Sequence, residues 1–427
     1  MTAGPWFTLG PMSQPPSTPS RRALPEGTVA RHGRLPHRRA IGVVAKIVAA
    51  GVAVVLVSGA SVAAIATWKV ASDIAPGVAL VGEEDVPPQI GSIEGGVNLL
   101  LVGSDSGGGN AAYGDRGEVL NDVTMLLHIS EDHSRATVVS FPRDLFVDIP
   151  ECPDPEGGEY PEAYNAKLNT ALTNGGLACP VLAIQELTGL EIPYAAVIEF
   201  DGVIAMSNAV GGVPVCVATS INDRQIGFKL AAGEHTIQGY DALQFLRSRY
   251  GVGDGSDLTR ISNQQQFLSS LVRVLKSSET LSNPVKLYGI ASAAAQNLEF
   301  SNSLRNVDTM VSIAGALKDI PLEEVVFVKY PSASGSIGGQ SGVLPIESAA
   351  ADLFDAIAAD EPISLTGGTG GGTVVTEETP PPVDPSVSAS VDPSASAPAA
   401  PGVTLPDTVE GQTANQETCT AGQTAGG

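Results

Sequence analysis

Three arginines, Arg247, Arg249 and Arg260, fall within fourteen positions of a chain that is otherwise strongly acidic. Guanidinium groups grip phosphate oxygens through paired N–H donors. In an extended segment the two-residue spacing of Arg247 and Arg249 puts both on one face. Arg260 and Gln264, four apart, share a face near the start of a predicted helix, where backbone N–H groups favour anions. The cluster therefore reads as an anion site. Asp105 ends an apolar run at the mouth of a glycine-rich loop, and Asp122 precedes the next run. If those runs pair as strands, the two carboxylates meet at one sheet edge, a donor set that suits Mg²⁺. An Asp beside Gly serves equally well in an ordinary turn. Arg143 and Asp144 follow Pro142 directly after a strand, while Lys167 and Asn169 flank Leu168 and could line a pocket or a surface. Asp257, three residues before Arg260, could orient an arginine, cap the helix or act as a base, with capping the commoner role.

Other chemistries lack their residues. The histidines at 32, 37, 128, 133 and 235 form no cluster. No Ser-His-Asp arrangement, HExxH, Walker loop or GxGxxG is present, which disfavours hydrolases of those classes and ATP-driven reactions.

The elements that must position these residues alternate. Val97 to Val102 is a continuous apolar run, as in a buried strand. Residues 124–129 and 136–141 form a predicted hairpin. Helices are predicted over 179–190, 201–209, 239–246, 261–277, 281–295, 303–318 and 347–358, and strands over 195–200, 213–218 and 325–328. In the longest helix Phe267, Leu268, Leu271, Val272 and Leu275 recur at helical spacing. This alternation predicts an α/β fold, a mixed central β-sheet flanked by helices. The apolar residues of 181–216 and 267–315 exceed what a thin sheet needs, so some are expected to line a tunnel.

The net charge of −23 divides into +6 over residues 1–46 and −29 beyond. An acidic body argues against nucleic-acid binding. Residues 47–67 carry no charge and are long enough to cross a bilayer as a helix. The basic flank before them places the N-terminus in the cytoplasm and the body outside, with the helix kept as an anchor rather than cleaved. The expected organisation is a disordered basic cytoplasmic tail (1–40), a transmembrane helix (41–68), an extracellular stalk (69–95), a catalytic domain (96–362) and a disordered low-complexity tail (363–427). Outside the membrane disulfides are permitted, and four cysteines allow three pairings. Cys152–Cys179 is preferred because both lie in a loop-rich stretch, which leaves Cys216 with Cys419.

Seven segments in order resemble the LytR-CpsA-Psr family: NLLLVGSDS (98–106), NDVTMLLHI (121–129), VVSFPRDLFVDIP (138–150), KLNTALTNGG (167–176), LTGLEI (187–192), AVGGVPV (209–215) and GYDALQFLRSRYGVGDGSDLTRISNQQQFL (239–268). The Ala- and Gly-rich composition suggests an actinobacterial version. The resemblance implies a cell-membrane phosphotransferase that moves a glycopolymer from a polyprenyl-pyrophosphate carrier onto peptidoglycan through a phosphodiester. It puts metal-binding aspartates on Asp105 and Asp122, and pyrophosphate-binding residues on Arg143, Lys167, Arg247, Arg249, Arg260 and Gln264. Arg247, Arg249, Arg260 and Asp257 become the catalytic candidates, with Mg²⁺ as cofactor and Asp257 or Asp144 as proton acceptor. Two positions depart from the family pattern. Leu120 stands where an Arg is usual, with Arg116 a substitute from the loop, and Asn263 stands where a second helix Arg is common. A polyprenyl-pyrophosphate hydrolase and a non-catalytic lipid-binding scaffold are the competing readings.

Overall fold

The computed structural model describes residues 40–83, 95–106, 119–154, 157–375 and 402–423. The chain divides into two compact units, residues 1–61 and 62–427. In the first, helix α1 (Ala40–Asp73) begins, and every described side chain from 44 to 61 is exposed and small or apolar, with Lys46 the one charge. A helix of this length and hydropathy can cross a bilayer.

The second unit is built on two sheets. Their strands are β1 (Val97–Ser104), β2 (Asn121–Ile129), β3 (Ala136–Phe141), β4 (Tyr194–Ile198), β5 (Val213–Thr219), β6 (Gly233–Ile237), β7 (Leu298–Phe300), β8 (Val325–Lys329), β9 (Thr373–Val375), β10 (Gly411–Thr413) and β11 (Thr418–Ala421). The central sheet is seven-stranded in the order β7-β4-β1-β2-β3-β8-β10. It is mixed: β1 runs parallel to β4 and β3 parallel to β8, while the remaining neighbours are antiparallel. The second sheet runs β6-β5-β11-β9. The remaining helices are α2 (Ala178–Thr188), α3 (Phe200–Ala209), α4 (Tyr240–Arg247), α5 (Asp257–Lys276), α6 (Ser278–Leu281), α7 (Pro284–Asn297), α8 (Val307–Asp319) and α9 (Glu347–Ala358).

The unbroken apolar run of β1 reflects burial on both faces. Leu100 and Val102 join the core beneath α2 and α9, while Val97 and Leu99 join the core that holds Ile313 and Ala316 of α8. Each fully buried Leu or Val contributes about 1.5–3 kcal/mol. α5 is stapled to both sheets by polar side chains. Gln265 donates to Ser140 of β3 at 3.4 Å, and Gln266 donates to the Thr418 carbonyl of β11 at 3.2 Å. Such groups are buried at lower cost where their donors find partners.

Three boundaries differ from the sequence expectation. The stretch read as a stalk begins inside α1, and Val70, Ile74 and Leu80 are buried in the body. Val78 exchanges main-chain hydrogen bonds with Phe300 and Asn302; residues 84–94 lie outside the described ones. The long helix starts at Asp257, four residues before the expected start. The expected tail is not all tail: 363–365 and 403–405 pair with each other, β9 and β11 join the second sheet, and β10 takes the edge of the central one. Gly- and Thr-rich composition misled here, because strands whose partners lie far away in sequence leave little local signal. Residues 376–401, like the basic tail 1–39, lie outside the described residues. Both disulfides form, Cys152–Cys179 and Cys216–Cys419.

Candidate active site

The site is built at one end of β1 and β2. A β-bulge between Gly103 and Ser104 shifts the register so that Ser104 faces Asn121, leaving Asp122 as the extra residue on β2. Bulges of this kind re-aim a side chain at a sheet edge. Asp105 continues β1 and is locked to the other strand by two bonds. Its N–H donates to the Leu120 carbonyl at 3.0 Å, and its carboxylate accepts from the Leu120 N–H at 2.9 Å. The two aspartates thus leave the same sheet end, as the pairing of the two apolar runs predicts. Leu120 contributes through its main chain, for which any side chain serves. Arg116 lies outside the described residues.

A ring of charges joins three elements around Asp122. Arg143 pairs with Asp122 at 2.5 Å and, more distantly, with Asp144 at 3.6 Å and Asp257 at 3.9 Å. Arg260 pairs with Asp257 at 2.6 Å and donates to the Asp122 carbonyl at 2.9 Å. Asp257 also accepts from the Arg143 main-chain N–H at 3.3 Å. Lys167 pairs with Asp144 at 3.1 Å. Burial works against the Arg143 charge, but Asp122, Asp144 and Asp257 outweigh it and raise its pKa above the usual arginine value. Asp257 is not the helix cap. Ser256 is, accepting from the Thr259 N–H, so Asp257 acts in the first turn by fixing two arginines.

Arg247 and Arg249 do not share an extended face. Arg247 ends α4, and the chain turns extended only at Ser248. The Arg247 guanidinium lies 4.4 Å from the centroid of the Phe200 ring, a cation–π distance. Arg249 donates from Nε to the Gly255 carbonyl at 3.0 Å and flanks the Tyr250 ring at 5.4 Å. Asp223, which sequence reasoning missed, shapes this turn: its buried carboxylate accepts from the N–H groups of Arg249 and Gly251 and from Ser248 Oγ. A single buried Asp in a polar stretch carries no periodic signal, and Phe200 reads as one more core aromatic.

Beside the charges lies a cavity of about 310 Å³. Asp122, Arg247, Arg260 and Gln264 line its polar end; Val203, Met206, Leu271, Leu275 and Leu298 are among its many apolar walls. Leu101 explains the geometry: it continues the Val97–Leu99 face of β1 but lines this cavity, so the sheet face is covered by core at one end and open at the other. Gln264 is held by donation to the Leu246 carbonyl at 3.2 Å. Asn263 faces away, bonding Phe245 and Thr420, so at this position Asn fastens α5 to α4 and β11. Arg143 Nε, Arg260 Nε and Asn169 Oδ1 are buried without a hydrogen-bond partner.

Among the described residues no group of three or more His, Cys, Asp or Glu could cage a metal. Asp105 and Asp122 supply carboxylates from adjoining strands, which fits a hard cation that takes its remaining ligands from water and phosphate.

The LytR_cpsA_psr family model matches residues 78–356, and the chain belongs to that family. It is 30% identical to the cell wall biosynthesis protein LcpA of Corynebacterium glutamicum over 56% of this chain and 51% of that one. It is 26% identical to the polyisoprenyl-teichoic acid–peptidoglycan teichoic acid transferase TagT of Bacillus subtilis, over 55% of this chain and 69% of TagT. The chain spans about half the length of the first curated relatives it matches, 51% and 47% of them. Its fold matches the LytR-Csp2A-Psr enzyme from Actinomyces oris with a TM-score of 0.50 at 20% identity, covering 67% of this chain and 96% of that one.

Proposed function

We propose that this protein is a membrane-anchored, Mg²⁺-dependent phosphotransferase that moves a glycopolymer from a polyprenyl-pyrophosphate carrier onto peptidoglycan. The observation that carries this reading is one cavity with two chemistries. Its walls are apolar over most of their length, and its end holds Arg247, Arg260, Gln264 and Asp122. A long lipid bearing a pyrophosphate has that same division. The name of the relative TagT, a polyisoprenyl-linked polymer transferase acting on peptidoglycan, agrees with it.

In the reaction an acceptor sugar hydroxyl attacks the phosphorus next to the glycopolymer. A new P–O bond forms to the peptidoglycan sugar, the bridging P–O bond of the pyrophosphate breaks, and polyprenyl monophosphate leaves with the bond electrons. Such a transfer depends mainly on positioning and on stabilising charge on the phosphoryl and leaving oxygens. Arg247, Arg249 and Arg260 face that task, with Arg143 and Lys167 beside them. The Arg260 Nε, buried without a hydrogen-bond partner on a residue that lines the cavity, is one donor that a phosphate oxygen would satisfy. Asp257 holds Arg143 and Arg260 in place and is a positioning residue. Asp144, with about a fifth of its side chain exposed, takes the acceptor proton. Asp105 and Asp122 would hold Mg²⁺, which when bound would neutralise pyrophosphate charge.

The test uses the purified full chain, Mg²⁺, a polyprenyl-pyrophosphate oligosaccharide and uncrosslinked glycan chains, read by mass spectrometry. A phosphodiester-linked conjugate, absent with Asp105→Ala and with Arg249→Ala, is expected. Sugar phosphate without a conjugate would replace transfer by hydrolysis. Lipid binding without conversion, equal in wild type and variants, would leave a scaffold.

A further inference from the structure

Helix α7 is an anomaly of burial. It reads PVKLYGIASAAAQN, yet Ala295 is its only buried residue. Val285 is 78% exposed and Tyr288, three residues on and so on the same face, is about two-fifths exposed on a largely apolar surface helix. Contiguous apolar exposure of this kind marks an interaction surface. The helix is also free of acid in a strongly acidic protein. From Thr280 to Leu298 there is no Asp or Glu, and Lys286 is the one charge.

Its position names the partner. The charge-free stretch of α1 ends at Trp68, 70% exposed, and Lys69. An aromatic followed by a cation is the pair that sits at the headgroup level of a bilayer. Within the same compact unit, Gln296 of α7 donates to Asp73 at 3.2 Å, and Lys69 lies within electrostatic reach of the Tyr288 phenol. α7 therefore runs beside the point where α1 would leave the membrane. A helix with apolar and aromatic side chains outward and no acid suits a lipid surface; its one lysine, Lys286, is only 19% exposed and pairs with Glu279 at 3.9 Å. The cavity adds a consequence. Two of its apolar wall residues, Leu275 and Leu298, stand in the last turn of α5, three residues before α6, and immediately after α7.

We propose that α7 is a membrane-docking helix. It lies on the bilayer that holds α1, with Val285 and Tyr288 in the headgroup–acyl boundary, and it brings the apolar end of the cavity to the lipid surface. This rests on the anchor reading of α1.

The experiment places single tryptophans in the full chain, reconstituted in phosphatidylglycerol–phosphatidylethanolamine vesicles with or without lipids brominated near the acyl-chain start. With Trp6→Phe, only Trp68 reports. With Trp6→Phe and Trp68→Phe, a third change, Tyr288→Trp, reports on α7, and Tyr164→Trp, an exposed site on another part of the fold, gives the solvent baseline. Expected is quenching of Trp68 and of the residue-288 reporter, each at least twofold above the baseline. Quenching of Trp68 with the α7 reporter at baseline overturns the docking helix and keeps the anchor. An unquenched Trp68 overturns both. Val285→Trp provides the same reading where Tyr288→Trp does not fold.

Discussion

The arginines singled out in the sequence are held by opposite means. Arg143 and Arg260 are bound to the carboxylates of Asp122, Asp144 and Asp257, at 2.5 to 3.9 Å. Arg249, on the turn after α4, is steadied by a main-chain carbonyl and a tyrosine ring. The first arrangement pairs charge with charge across β2, the turn after β3 and the start of α5, so it ties elements together. The second fixes geometry while leaving the guanidinium charge uncancelled by the groups that position it. A site for a pyrophosphate needs both, a frame that stays put and cations whose field reaches the ligand.

That contrast fails or stands on separating stability from activity. Asp257 is 5% exposed, so Asp257→Ala leaves the buried Arg260 without its ion-pair partner. Breaking a buried pair in this way costs about 3–5 kcal/mol. Urea unfolding read by near-ultraviolet circular dichroism should show the loss, and a variant as stable as wild type would mean the ring does not frame the site. Arg249→Ala should do the reverse. Its unfolding midpoint stays near wild type, while transfer falls by about 10²–10³-fold, the usual effect of deleting one donor to a developing anion. A large stability loss from Arg249→Ala would erase the distinction between the groups.

How far the sequence could have reached is seen residue by residue. Local periodicity was enough for the β2–β3 hairpin and for α2 with its Gly189 end in the left-handed region. What it could not convey is geometry set by distant contacts. The bulge that singles out Asp122 exists only in the pairing of β1 with β2. The turn that aims Arg249 depends on Asp223, twenty-six residues earlier. The closing strands β9 to β11 are Thr-rich or Gly-containing triplets and quartets whose partners lie up to two hundred residues away. The expected period-two face for Arg247 and Arg249 failed because α4 runs on to Arg247 itself.

The closing strands invite the next test, since they brace the same helix that carries Arg260. Cys419 bonds Cys216, and Thr420 accepts no solvent contact while donating to Asn263 at 2.7 Å. Cys216→Ser with Cys419→Ser should lower stability by about 2–4 kcal/mol, the common range for removing a native disulfide. Because Asn263 and Gln264 are neighbours on α5, that loss should be accompanied by weaker carrier binding. The Cys152–Cys179 bond closes a 27-residue separation against the 203 of the other. Its paired serine variant should lose less stability and leave carrier binding unchanged. Equal effects on binding would mean the closing strands do not brace the site.

The smallest effect is a pH response from the far end of β2. His128 bonds Asn98 at 2.8 Å and Asp360 at 3.1 Å. Burial holds its pKa below the ordinary value of 6.5, with Asp360 only partly offsetting. The unfolded chain therefore takes up a proton near pH 6.5 that the folded chain resists, and stability falls as pH drops through 6.5 toward the lower folded value. Between pH 7.5 and 5.5 the urea midpoint of wild type should fall further than that of His128→Gln, which has no such proton to bind. Parallel slopes would sink this assignment. Asp122 is the second residue of β2 and His128 its penultimate one, so the wild-type loss should come without a matching change in the effect of Arg249→Ala. Frame and ligand-facing charge would then respond separately even along a single strand.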